Sequence, residues 1–240
     1  MNGTVWDHIR YDAVMLLASI GLFVAYHVFL VVMGRRDRNY SFQLVMARSR
    51  AAWIHAVMEQ GKDILAVQTL RNSTMAATFL ASTAIFLITG VLTLSSQGDK
   101  LESLWHALNV TGGGGPEVWL LKILAMLVDL FGAFLSFTMA IRMFHHVGYM
   151  INVPLTTIHG RVPPKLVIAQ LNRAGHFYWF GMRTYFFLVP LVLWLFGPDL
   201  MIGSTVVLVA VLYRLDHMRA YDDVGAEPAE RPEGKLIALR

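Results

Sequence analysis

The chain has 240 residues, 56% of them hydrophobic and only 15% charged, with a mean hydropathy of +0.53. A soluble domain carries about 25% charged residues, so this composition excludes a soluble globular domain and a disordered chain; the absence of Cys excludes disulfides, thiolate metal sites and a Cys nucleophile. The formal net charge of +4 is modest, and its placement along the chain matters more than its size.

A transmembrane helix needs about 20 mostly apolar residues. The first such stretch covers residues 11–33, contains His27 and ends at Gly34-Arg35-Arg36. The residues before it lack the basic head of a signal peptide, and no small-residue cleavage site follows, which predicts a retained span. Residues 41–72 contain no Pro, with Ser41 as a candidate N-cap and Asp63 after Gly61 as a candidate restart. Phe42, Val45, Met46, Trp53, Val57, Ile64, Val67 and Leu70 recur there at roughly helical spacing. This predicts a helical cytoplasmic arm, packed on the bilayer face or another loop, or used for oligomerisation. The second span covers residues 73–94 and has no charged residue. From Lys100 to Val110, Leu101, Leu104, Trp105 and Leu108 share one face, the pattern of a short interfacial helix. The glycines that follow, Gly112 to Gly115, lack the Lys-Ser/Thr ending of a phosphate loop. The third span covers residues 118–141 and contains Lys122 and Asp129.

Residues 184–213 form one apolar run broken by Phe196-Gly197-Pro198-Asp199. As a single helix the run would be about 45 Å long, against a hydrocarbon core of about 30 Å. Pro198 disfavours a helical Gly197 and suits the first turn of a new helix. The run therefore divides into spans at 177–196 and 198–217, a tight hairpin with Trp194 expected at the interface near its tip. The fold class is an all-α integral membrane protein: a five-span bundle whose last two spans form the hairpin, with a helical cytoplasmic layer from residues 41–72 and 150–175. Residues 1–219 make one bundle domain, and residues 220–240, rich in Glu, Pro and Ala, form a flexible cytoplasmic tail. No internal repeat is visible, and five spans do not divide into the inverted halves common among transporters.

Of the 20 Lys and Arg residues, only Arg10, Lys100 and Lys122 fall on one side of this arrangement; the other 17 fall on the opposite side. The positive-inside rule then places the N-terminus outside and the C-terminus in the cytoplasm, in a bacterial inner membrane. A four-span arrangement would leave the basic C-terminal region outside.

Three groups of polar residues stand out. Asp129 lies near the middle of the third span, where a charged Asp costs about 2.5–3.5 kcal/mol on insertion scales. It must be neutral, paired or turned to a wet cavity; Ser82 and Thr83 lie at similar depth on the second span. The structural reading is a hydrogen-bonded packing carboxyl; the functional one is a proton or cation relay. Gly132, Ser136 and Ala140, spaced four apart beside it, permit close helix approach. Second, His27, His145 and His146 lie in or at the end of spans, and imidazoles on facing helices can ligate a haem or metal. A hydrogen bond from His27 to a neighbouring helix and head-group contact by His145 and His146 explain them more simply. Third, Arg71, Arg142 and Arg183 come at the inner ends of spans two, three and four. They serve as snorkelling anchors, or converge with Asn72 and Asn152 on a lipid phosphate. Asp216, about as far from the hairpin tip as Arg183, is an alternative partner for that arginine. No Gly-x-Ser-x-Gly, HExxH or triad-like spacing occurs.

The segments Ala66-Val67-Gln68-Thr69-Leu70-Arg71-Asn72-Ser73 and Arg142-Met143-Phe144-His145-His146-Val147-Gly148-Tyr149-Met150-Ile151-Asn152-Val153-Pro154 resemble an uncharacterised family of bacterial and plant membrane proteins, catalogued as domain of unknown function, family 599. The resemblance covers most of the chain. It implies a multi-span membrane protein and that Gln68, Arg71, Asn72, Arg142, His146 and Asn152 belong to the family pattern; it implies no activity. Without a catalytic motif, the expected function is non-enzymatic: an accessory or scaffold protein that self-associates or joins a membrane complex. The alternatives are a proton, cation or small-solute pathway through Asp129 and a histidine-ligated haem or metal redox protein. Expected partners are the bilayer, anionic lipid head groups and further protein copies or a larger membrane complex, not nucleic acid; the cofactor is unknown: none, or a haem or metal at the histidines.

Overall fold

The computed structural model describes residues 2–37, 40–96, 116–153 and 162–217. The proposed interfacial helix, the four-glycine loop and the C-terminal tail lie outside these residues.

Among the described residues there are six α-helices: α1 (Asn2–Arg36), α2 (Phe42–Gln60), α3 (Asp63–Ser95), α4 (Pro116–Ile151), α5 (Pro164–Leu193) and α6 (Pro198–Asp216). All except α2 are long and apolar enough to cross a membrane. The described residues form an all-helical bundle with five helices able to span a membrane.

Local chemistry accounts for the element ends. Gly61 takes the left-handed conformation (φ 62°) that closes α2, a position glycine occupies without steric cost. The helix restarts at Asp63 and runs unbroken into the second span, because nothing between 63 and 95 interrupts it. Residues 63–72 thus belong to the spanning helix, and the arm proper is α2. Ser41 occupies the N-cap position of α2 without a side-chain capping bond. Its backbone carbonyl accepts from Leu44 and Val45, and Ser41 itself pairs with His217 in an isolated bridge. At the hairpin, a 3-10 turn (Trp194–Phe196) ends α5, Gly197 adopts φ 150°, ψ 149°, and Pro198 opens α6.

Helix length divides the molecule into two layers. The 33, 36 and 30 residues of α3, α4 and α5 correspond to about 50, 54 and 45 Å, well beyond a hydrocarbon core of about 30 Å. The 19 residues of α6 correspond to about 28 Å, a single crossing. The surplus of α3, α4 and α5 projects at one end, where α2 packs on it. The core of this projecting layer joins Ile54 and Val57 of α2 to Ala66 and Leu70 of α3, Val147 and Ile151 of α4, and Val167 and Ala174 of α5. A second core at the hairpin end joins Ile123 and Met126 to Leu191, Trp194 and Met201. Between them, Ala81, Ala133 and Phe137 close the α3–α4–α5 contact. Helix α1 lies outermost, against α6, through Tyr26, Leu30 and Leu212.

Two glycines permit close helix contact. A Cβ on Gly181 would come within 2.8 Å of the Phe137 ring. A Cβ on Gly175 would lie 3.0 Å from the Arg50 guanidinium, which crosses that glycine from α2 and donates to the Asn172 side chain at 2.9 Å. Burial there pushes the Arg50 pKa down.

Candidate functional site

Two buried clusters of charged and polar side chains tie α1 to the bundle, one near each end. At the hairpin end Asp12 of α1 is fully buried. The Trp194 indole N–H donates to its Oδ1 at 2.7 Å, and the Lys122 ammonium of α4 lies 3.9 Å from the same oxygen. Lys122 also sits 5.6 Å from the centre of the Trp194 ring, within reach of its π face. Nearby, the Tyr11 hydroxyl donates to Asp199 at 2.8 Å, in the first turn of α6, where an acidic side chain suits the helix dipole. Trp194 is therefore fully enclosed rather than resting at the lipid–water boundary as its sequence position suggested; its indole N–H finds its acceptor inside the protein.

Toward the α2 end, Arg183 of α5 and Asp216 of α6 form a buried ion pair. Tyr26 of α1 donates its hydroxyl to the second carboxylate oxygen at 2.5 Å. The Trp179 ring lies 4.9 Å from the guanidinium. One acid thus gathers donors from two other helices, which answers the demand that a charge in lipid be paired. The alternative partner seen for Arg183 in the sequence is the partner it has.

The remaining anticipated residues fall elsewhere. Arg71, Asn72, Arg142 and Asn152 are exposed, all on the projecting layer of α3 and α4. Arg71 donates to Gln68 at 2.6 Å, and Asn152 to the Gly148 carbonyl at 3.1 Å. Arg183, buried against Asp216, is not among them. Asp129 is half-buried, and its Oδ2 has no hydrogen-bond partner among the described residues. Helix α3 buries Ala77, Ala81, Ala84 and Ile88 and leaves Ser82 and Thr83 exposed; Thr83 donates to its own helix at the Phe79 carbonyl, 2.8 Å away. Those hydroxyls do not serve Asp129. His27 donates from Nδ1 to the Phe23 carbonyl (2.7 Å) and packs among Phe23, Tyr26 and Trp179. His145 and His146 are exposed near the C-terminal end of α4, whereas His27 packs against Trp179 of α5. Among the described residues no cluster of three or more His, Asp or Glu could hold a metal ion.

Sequence reasoning missed Asp12 and Tyr26. For Asp12 a signal existed: an Asp and a Lys enter the apolar segments of α1 and α4 near the same membrane face, and each needs a counter-charge. For Tyr26 there was none, since a tyrosine in a span is common and its partner lies 190 residues away.

No curated protein and no solved structure matches the chain. The family described as "Protein of unknown function, DUF599" matches residues 14–220, a stretch that takes in all of α2 to α6, both buried clusters except Asp12, and the exposed Arg71 and Arg142 face. The chain belongs to that family.

Proposed function

We propose that this protein is a non-enzymatic scaffold of the bacterial cytoplasmic membrane, which self-associates or joins a larger membrane complex through its projecting layer. The observation that supports this reading is the surface of that layer. Beyond the hydrocarbon, α3 and α4 display Ile64 (81% exposed) and Tyr149 (80% exposed) among the exposed polar side chains of Gln68, Arg71, Asn72, Arg142, His146 and Asn152. Large apolar side chains in water beside a rim of hydrogen-bonding groups suit a protein partner. Arg71 and Arg142 add the planar forks that suit a lipid phosphate at the same level. The test is mass measurement of the protein purified in mild detergent, with Ile64→Asp and Tyr149→Ala variants. The expected result is an oligomer or a stoichiometric partner that both variants lose; a strict monomer with no co-purifying protein overturns the reading.

One observation favours a second reading, a proton or cation pathway: the unpartnered Oδ2 of Asp129 within the bundle. A flux assay in liposomes separates the two. On the pathway reading Asp129→Leu abolishes flux while leaving the protein at least as stable, because an unpaired polar group in an apolar setting costs free energy. Unchanged flux in Asp129→Leu sinks it.

A further inference from the structure

Where α6 meets α1, an open groove of about 650 Å³ runs along the outside of the bundle toward the α2 end. Its lining is graded. Val206 and Val209 form the part nearer the hairpin; Tyr213, Arg214 and His217 form the part at the end of α6; Tyr26 contributes from α1. Val206 and His217 are eleven residues apart, about 16 Å along a helix. Half of a hydrocarbon core of about 30 Å is about 15 Å. The groove therefore matches one leaflet in length, apolar toward the membrane centre and cationic at the surface.

Two groups at the polar end lack protein partners among the described residues. Arg214 is exposed and has no ion pair among the described residues, whereas the nearby acid, Asp216, is already committed to Arg183 and Tyr26. His217 is held between the rings of Tyr40 (4.7 Å) and Tyr213 (5.5 Å), and its Nδ1 is buried without a hydrogen-bond partner among the described residues. An exposed guanidinium beside a phenol and an imidazole ring at the mouth of an apolar channel suits a phosphate that carries an acyl chain.

We propose that this groove binds one anionic phospholipid of the leaflet on the α2 side, its phosphate at Arg214 and His217 and an acyl chain along Val206 and Val209. The site lies on α6 and α1, apart from Arg71 and Arg142, and stands independently of the scaffold reading. Selectivity for anionic lipid comes from the net headgroup charge, which Arg214 offsets and which a choline headgroup neutralises internally; the apolar channel supplies retention of the chain.

The experiment is native mass spectrometry of the full chain in detergent, titrated separately with phosphatidylglycerol, phosphatidylcholine and inorganic phosphate. The wild type is expected to retain one phosphatidylglycerol in preference to phosphatidylcholine. Arg214→Gln should weaken that binding about tenfold, equivalent to about 1.4 kcal/mol, and weaken phosphatidylcholine less, so that the preference between the two lipids narrows. Val209→Trp, which fills the channel and keeps the charge, should weaken both lipids; it also keeps the test decisive if Arg214→Gln does not fold. Arg71→Gln/Arg142→Gln should leave this site's occupancy intact. Equal binding of the two lipids, indifference to both groove variants, retention of inorganic phosphate in place of lipid, or a dimer mass without lipid would each overturn the proposal.

Discussion

Asp216 shows how a single acid organises a membrane bundle. Its two oxygens take up Arg183 and Tyr26, so three helices meet at one carboxylate. Removing one partner from a buried ion pair leaves an uncompensated charge and costs about 3–5 kcal/mol, while replacing both by apolar groups of similar size is often tolerated. Arg183→Ala should therefore lower stability by about 3–5 kcal/mol, and Arg183→Met/Asp216→Leu should recover most of that loss. Tyr26→Phe, which deletes one hydrogen bond to a charged group, should cost about 1.5–3 kcal/mol. Thermal unfolding in a single detergent checks all three; a double variant as unstable as Arg183→Ala would remove charge compensation as the reason for the pair. The Asp12–Lys122–Trp194 group obeys the same logic at the hairpin end.

Helix pairing depends on where the helices have no side chain. Gly181 lets Phe137 approach α5 closely; an added Cβ would meet that ring at 2.8 Å. Overpacking of this kind costs about 1–3 kcal/mol, so Gly181→Ala should destabilise by that amount and Phe137→Leu in the same chain should relieve it. At the hairpin, Gly197 holds φ 150° and ψ 149°, a region essentially reserved for glycine, where another residue costs about 1–3 kcal/mol. Gly197→Ala should show a loss of that size in unfolding measurements, while Gly203→Ala, where an added Cβ meets nothing within 4 Å, should not. Equal effects at the two glycines would mean the hairpin backbone is not the constraint. The hairpin was legible because Gly-Pro is a local signal. The boundary between α2 and α3 was only partly so: Gly61 marked it, but residues 63–72 carry the same periodicity as the arm and were grouped with it.

At the scale of the molecule, the alternation of helix ends places the Asp12 group at one membrane face and the ends of α1 and α6, with α2, at the other. The distribution of Lys and Arg selects which face is cytoplasmic. Reporters fused after Pro116 and after Arg219 are expected to be outside and inside respectively, giving an external N-terminus; the opposite result at either site refutes this orientation. The overhang of α3, α4 and α5, with α2 packed on it, makes a helical layer beyond the hydrocarbon.

Crossing segments were legible in the residues because partition into lipid is additive over about 20 positions and needs no knowledge of neighbours. Which face of each helix turns inward was not legible. Lipid is as apolar as the protein interior, so hydropathy does not separate the two surfaces: Phe86 is 76% exposed and Phe137 fully buried, though both lie in apolar spans. The fates of Arg71, Arg183 and Asp129 depended on helix rotation and on which helices are adjacent. Residues 33 positions apart for Arg183 and Asp216, and 182 apart for Asp12 and Trp194, meet only after the bundle assembles. Charge in a span announces that a partner is needed; three-dimensional packing chooses the partner, because pairing energies depend on ångström distances that no local pattern encodes.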